Sequence, residues 1–215
     1  MKLRTQEMLS DFVAGDIAWR KKELGDLRHI AQTAGGPARR QLMTRCAIAL
    51  MYAHLEGFTK QAGRAYLEYV AAQKLTNDQI AQNFLALTLA DMLASVHASR
   101  KPSAYARAVQ LLASGGAERA RVPYKTGVDT ESNLSSRVLQ EVIYTLGLDY
   151  SPYASKEKLL DSRLLAKRNH IAHGENVQLD DVDYDELHYG VIEMMECLRN
   201  QIENAAALRS FVRAV

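Results

Sequence analysis

Cysteine and proline are scarce in this chain, with two of the first and four of the second in 215 residues. Two thiols, Cys46 and Cys197, cannot build a disulfide framework, and neither has a metal-ligand spacing. Both fall inside helical patterns, which predicts buried free thiols in a reducing compartment. So few prolines leave long stretches uninterrupted. With Ala, Leu, Arg, Glu and Gln frequent, the expectation is an all-α fold. No apolar run is long enough to span a bilayer, and the N-terminus lacks the apolar core of a secretory signal. The chain is therefore read as cytoplasmic, with no membrane partner. Strong charge of one sign is also missing. A net charge of +2 does not by itself call for a polyanion.

The distribution of charge is less even than its total. Residues 1–128 carry 18 Lys and Arg against 10 Asp and Glu, whereas residues 129–215 carry 9 against 15. Such asymmetry suits contact between halves, between subunits or with a polyanion, and an uneven solvated surface equally well.

Apolar periodicity predicts one domain over 1–215 without internal repeats. A first helix spans about Thr5–Thr33 on Leu9, Phe12, Val13, Ile17, Leu24, Leu27 and Ile30. Gly35-Gly36-Pro37 breaks it, and Pro37 suits the first turn of a second long helix reaching Gln73. Within that helix, Leu42, Cys46 and Leu50 belong to the apolar pattern, and Gly57 and Gly63 permit a close helix contact or a bend. Thr76 and Gln79 read as the capped start of a third helix running to Ala98. A shorter helix covers Ser103–Ala113, and residues 117–131 read as a loop. Asn133 or Ser135 opens a helix closed by Gly147, and another runs from Ser155 to His173. The run Asp180-Asp181-Val182-Asp183-Tyr184-Asp185-Glu186 lacks the glycine and spacing of a calcium loop. It reads as a solvated loop feeding a last helix that starts near Asp183 and includes Leu208.

Polar chemistry concentrates in Lys167-Arg168-Asn169-His170-Ile171-Ala172-His173-Gly174. Gly174 is placed to end the helix, and cations near a helix C-terminus are ordinary. The side-chain types also suit cleavage of a phosphodiester without metal. A histidine near neutral pKa moves protons, an arginine holds a phosphate with a planar fork of donors, and an asparagine orients either. No carboxylate pair or Cys/His ligand set stands beside them, so neither a metal nor a cofactor is expected. Asn169 and His173 share a face, and His170 and His173 are neighbours. Arg168 and His173 are five apart, about 140° around a regular helix. They meet on one substrate only if the helix unwinds or if two copies of the motif share a cleft.

Arg168-Asn169-x-x-x-His173 within LLAKRNHIAHGE, followed by a long helix, resembles the signature of the HEPN superfamily. YAHLEGF at residues 52–58, AYLEYV at 65–70 and NLSS at 133–136 resemble one prokaryotic branch of it. The resemblance covers most of the chain from about residue 40. It implies a HEPN-like bundle of long antiparallel helices with extra short ones, dimerising so that two motifs share a cleft. It further implies a metal-independent endoribonuclease, often a toxin or anti-phage defence effector with an antitoxin or defence-system partner. On that resemblance Arg168, Asn169 and His173 are catalytic, and Ile171-Ala172 replaces the tyrosine of a branch controlled by nucleotidylation. His170 occupies a variable position and is at most auxiliary. Glu56 is either half of a surface pair with Lys60 or a carboxylate facing the cleft that orients Arg168 or a histidine. His54 and Tyr66 read as packing residues. Two other functions stay open: a non-catalytic HEPN module binding RNA or nucleotide, and a helical regulator that holds a partner protein.

Overall fold

Thr5 starts the first helix by accepting a hydrogen bond from the Met8 amide at 3.2 Å, and α1 follows over Gln6–Thr33. The computed structural model describes residues 2–99, 101–178 and 181–213. Pro37 opens α2, Pro37–Ala72, which turns back after a three-residue link. The pairs Arg20–His54 and Arg4–Gln73 therefore face each other, so the two helices are antiparallel. The last helix, Asp181–Ala207, is also antiparallel to α1. Ser10 meets Glu203, Lys21 meets Glu196 and Arg28 meets Asp185. Between them come α3 (Gln82–Ser99), α4 (Pro102–Ser114), α5 (Ser136–Leu146), the single turn α6 (Ser151–Ala154), a π-helical segment (Leu159–Leu165) and α7 (Ala166–Ala172). The last helix is thus α8. The fold is all-α, with no strand among the described residues.

The three long helices meet on apolar stripes. Leu9, Val13, Ile17 and Leu24 line α1, and Leu187, Val191, Met195, Leu198 and Ile202 line α8. Spacings of three, four and seven put each set on one helical face. The central helix α2 is buried on several sides, with Met51, Tyr52, Leu55, Phe58, Ala62 and Tyr66 all nearly inaccessible. Truncating a residue such as Phe58 to Ala should cost about 3–5 kcal/mol. Gly57 and Gly63 allow close approach, as their positions suggest. A methyl on Gly57 would meet the Arg20 guanidinium at 2.8 Å, and one on Gly63 would meet Val128 at 3.0 Å.

Several sequence expectations need correction. Thr76 does not begin α3, which starts at Gln82. Gln79 does reach back to the Thr76 amide, but Asn77 and Asp78 pair with the backbone of Glu118 and Gly116, and Ala81 pairs with Phe211. Those long-range partners hold the stretch out of the helix. The single helix expected over 155–173 is instead a turn, a π-helical segment and α7. In the wider π turn, Leu160 and Leu165, five apart, both point into the core. Cys46 is exposed rather than buried, and so are Phe12, Ile30, Leu42 and Leu50. Leu208 lies beyond α8 and is 79% exposed. Asp180 and the side chains of Asp181 and Val182 lie outside the described residues. The rest of the acidic run belongs to α8, and its carboxylates are paired: Asp183 with Arg163 and Lys167, Asp185 with Arg28, and Glu186 with Arg163.

Two buried histidines make stability depend on pH. Burial, with Arg28 beside it, holds His188 below its ordinary pKa, and burial with Arg20 does the same to His54 despite Glu23. Both are therefore neutral in the fold at pH values where the unfolded chain, with histidine pKa about 6.5, already takes up protons. Their contribution is complete above about pH 6.5 and is lost as pH falls below it toward the folded pKa. The melting temperature should drop by several degrees between about pH 7.5 and 5.5. In His188→Leu, which cannot charge, the drop should be smaller, as thermal melts at each pH will show.

Candidate active site

The motif occupies α7 and the turn after it. Leu164, Arg168 and Ile171 follow one another at spacings of four and three, so Arg168 falls on the core-facing stripe of this helix. Leu164 is fully buried and Ile171 packs against the core. A cation in that register needs a partner, and it finds an aromatic one. The Arg168 guanidinium lies 4.4 Å from the centre of the Tyr52 ring on α2, a cation–π contact worth about 0.5–2 kcal/mol. Its Nη1 donates to Asn169 Oδ1 at 2.8 Å. Among the described residues it forms no ion pair. Lys167, beside it in sequence, is engaged with Asp183 at 2.8 Å.

Tyr52 is itself held in place. Its hydroxyl accepts from the Leu134 amide, and the Glu56 carboxylate one turn further along α2 acts on it electrostatically. Burial, and then the negative charge of Glu56, push its pKa up to about 12, so the phenol stays protonated. Glu56 accepts from the hydroxyl of Thr130, which is completely buried, at 2.8 Å. Glu131 and Ser132 follow Thr130 with φ of 51° and 55°, a left-handed turn unusual without glycine. Asp161, in the π-helical segment, accepts from the amide and hydroxyl of Ser136 at the positive end of α5. The 129–136 loop is thereby tied to α2 on one side and to the approach to α7 on the other.

His173 closes α7, and Gly174, at φ 80°, reverses the chain so that the Glu175 amide reaches the His170 carbonyl. The reversal brings the Glu175 carboxylate 2.6 Å from His170 Nδ1, on the exposed side. The His173 amide donates to the Asn169 carbonyl at 3.0 Å, while its side chain is exposed and makes no hydrogen bond or ion pair among the described residues. The helix is regular between Arg168 and His173. It widens before the motif, not within it, so one chain turns the arginine inward and the histidine outward. Glu56 lies one turn from Tyr52, and among the described residues no hydrogen bond or ion pair joins it to either histidine or to Lys60. Among the described residues, no three His, Cys, Asp or Glu side chains gather into a group able to hold a metal ion.

Two residues of this region were not singled out from the sequence. Tyr52 is the platform for Arg168, and Arg45 donates to Asn176 Oδ1 at 2.9 Å, pinning the turn after the motif to α2. Arg45, Tyr52 and Glu56 are spaced by seven and four, which puts them on one face of α2. That spacing was a legible signal. Thr130, alone in a loop, offered none.

Compared with protein-family models, residues 16–204 match the family described as RiboL-PSP-HEPN. The chain belongs to this family. The match takes in Arg45, Tyr52, Glu56 and everything from Arg168 to His173. No curated protein and no solved structure matches the chain. As a RiboL-PSP-HEPN protein it is a member of the HEPN superfamily, whose all-helical architecture it has. Membership supports a nuclease- or RNA-related function in general. No helix among the described residues is long and apolar enough to cross a membrane.

Proposed function

We propose that this RiboL-PSP-HEPN protein is a metal-independent endoribonuclease. The observation that supports this most is the state of Arg168. It is half-buried, aligned over Tyr52 and held by Asn169, yet its charge is not neutralised by any carboxylate bonded to it. A guanidinium placed in this way is suited to a phosphate. The ribose 2′-hydroxyl attacks the adjacent phosphorus, and the 5′-oxygen leaves. The products are a cyclic phosphate and a 5′-hydroxyl end. His173, free at the helix end, moves the proton at one of those oxygens, and Arg168 stabilises the charge that builds on the phosphate. Arg168 and His173 diverge within one chain, so the working site draws on two copies. A homodimer is part of the proposal, as is a toxin or defence role with a partner protein controlling it. The test is cleavage of RNA in a chelator by wild type beside His173→Ala.

Tyr52 acts as a positioning residue through Arg168. Tyr52→Phe keeps the ring and should retain most activity, while Tyr52→Leu keeps apolar bulk but loses the cation–π contact. The leucine variant should lose roughly tenfold in kcat/KM, the equivalent of about 1.4 kcal/mol. Rates for the two variants, compared with their thermal melts, will separate lost positioning from lost stability. Equal rates in the two would remove this role.

A further inference from the structure

Far from the motif, the other end of α2 borders a set of connected clefts. One of about 520 Å³ is flanked by Lys2, Arg4, Lys74 and Arg119. A second of about 470 Å³ adds Arg64 and Lys125, and a third of about 610 Å³ adds Arg121. Tyr124 lines all three. Seven cations thus face two carboxylates, Glu68 and Glu118. This excess exceeds the +2 of the whole chain, so the remaining surface is net negative.

The cations here differ from those of the α1–α8 face. There Arg20, Lys21, Arg28 and Lys156 are each matched by a carboxylate. None of the seven forms an ion pair among the described residues, and the Arg64 Nε is buried with no hydrogen-bond partner. Closure of a helix end accounts for part of the cluster. Arg119 donates to the Ala71 carbonyl at 3.3 Å, at the negative end of α2. It does not account for Arg64, Arg121 or Lys125. The loop is also built to present Tyr124 and Lys125. Gly127 donates to the Pro123 carbonyl at 2.7 Å, closing a tight turn, and a methyl on Gly127 would meet Leu67 of α2 at 2.8 Å. The same methyl would meet the Pro123 carbonyl at 2.8 Å, so the tight turn needs glycine there, and the Tyr124 side chain beside it packs against the core while staying partly exposed.

We infer that this groove binds the backbone of single-stranded RNA, with its cations on successive phosphates and a base stacked on Tyr124. An elongated, open, basic track suits a polymer of phosphates better than a small ligand, and an accessible aromatic ring needs the bare base face that a duplex hides. From Tyr52 to Arg64 is about 18 Å along α2 at 1.5 Å per residue, and Lys74 lies further still, so the groove is separate from the Arg168 motif. The inference rests on the reading that the chain acts on RNA.

The test is fluorescence anisotropy with a labelled single-stranded RNA of about 20 nucleotides in EDTA, on an Arg168→Ala background so that the probe stays whole. Adding Arg64→Ala, Arg121→Ala and Lys125→Ala together should weaken binding at least tenfold. It should also lower the slope of log affinity against log salt by about 2, since each phosphate contact on a single strand contributes about 0.7. Tyr124→Leu should weaken binding by about tenfold with little change in slope. The three cations are at least partly exposed, so their removal should leave the thermal melt unchanged and keep the test valid if Tyr124→Leu folds poorly. Unchanged affinity and slope in the triple variant would overturn the inference, as would anionic vesicles competing as well as unlabelled RNA. If the triple variant loses RNA binding but wild type cuts no RNA, the groove stands and the nuclease reading falls. If wild type cuts RNA and the triple variant binds normally, the reverse holds.

Discussion

Wild-type protein in EDTA will cut single-stranded RNA, and His173→Ala will cut it about 10²–10⁴-fold more slowly, the range for losing a general acid or base. Arg168→Ala will lose a comparable factor, because a charge-stabilising donor at a phosphate is removed from where negative charge develops. DNA of the same sequence will survive, since it has no 2′-hydroxyl to attack. Analysis of the fragments should find cyclic phosphate and 5′-hydroxyl ends. Circular dichroism should be unchanged in His173→Ala, whose side chain is exposed. Arg168→Ala should stay folded with a slightly lower melting temperature, as the Tyr52 face loses a cation–π contact of about 0.5–2 kcal/mol. A strict need for a divalent cation, or equal cutting of DNA, would refute this chemistry.

Mixing the two inactive variants should restore activity. Arg168 points toward Tyr52, and His173 lies about 140° further around a regular helix, so one motif cannot present both to one phosphate. In a two-fold dimer, a subunit bearing Arg168→Ala still supplies His173, and one bearing His173→Ala still supplies Arg168. After random exchange, half of the dimers are mixed, and each has one of two equivalent arrangements intact. Recovery to about a quarter of the wild-type rate is expected. Each variant alone should stay at its own low rate, and sedimentation should find dimers at assay concentration. No recovery in demonstrably mixed dimers would remove the shared site and leave the nuclease assignment to be judged by the first experiment.

Helix boundaries that depend on neighbours in sequence were legible without the fold. Thr5, Pro37, Ser135, Gly147 and Gly174 all stand where capping and chain-reversal rules place them, because each acts through backbone groups a few residues away. The long apolar stripes and the all-α class were legible for the same reason. So was the divergence of Arg168 and His173, which follows from helical geometry alone once the helix between them is regular.

What crosses the chain was decided only by tertiary structure. Thr76–Gln79 carries a good capping pattern, yet Glu118, Gly116 and the C-terminal Phe211 supply its backbone partners first. The π turns before α7 place Leu160 and Leu165 in the same core, a placement invisible to a 3.6-residue period. Lys167 and Arg168 read as equals in a basic run. One is neutralised by Asp183 and the other rests on Tyr52, and only the packing of α7 against α2 and α8 makes them different. The basic groove is assembled from residues 2–4, the far half of α2, Lys74 just beyond it and the 118–125 loop, so its seven cations were spread too widely to be seen as a cluster. Capping rules and periodicity act over one or two turns of chain, whereas ion pairing, stacking and charge density depend on which faces the fold brings together.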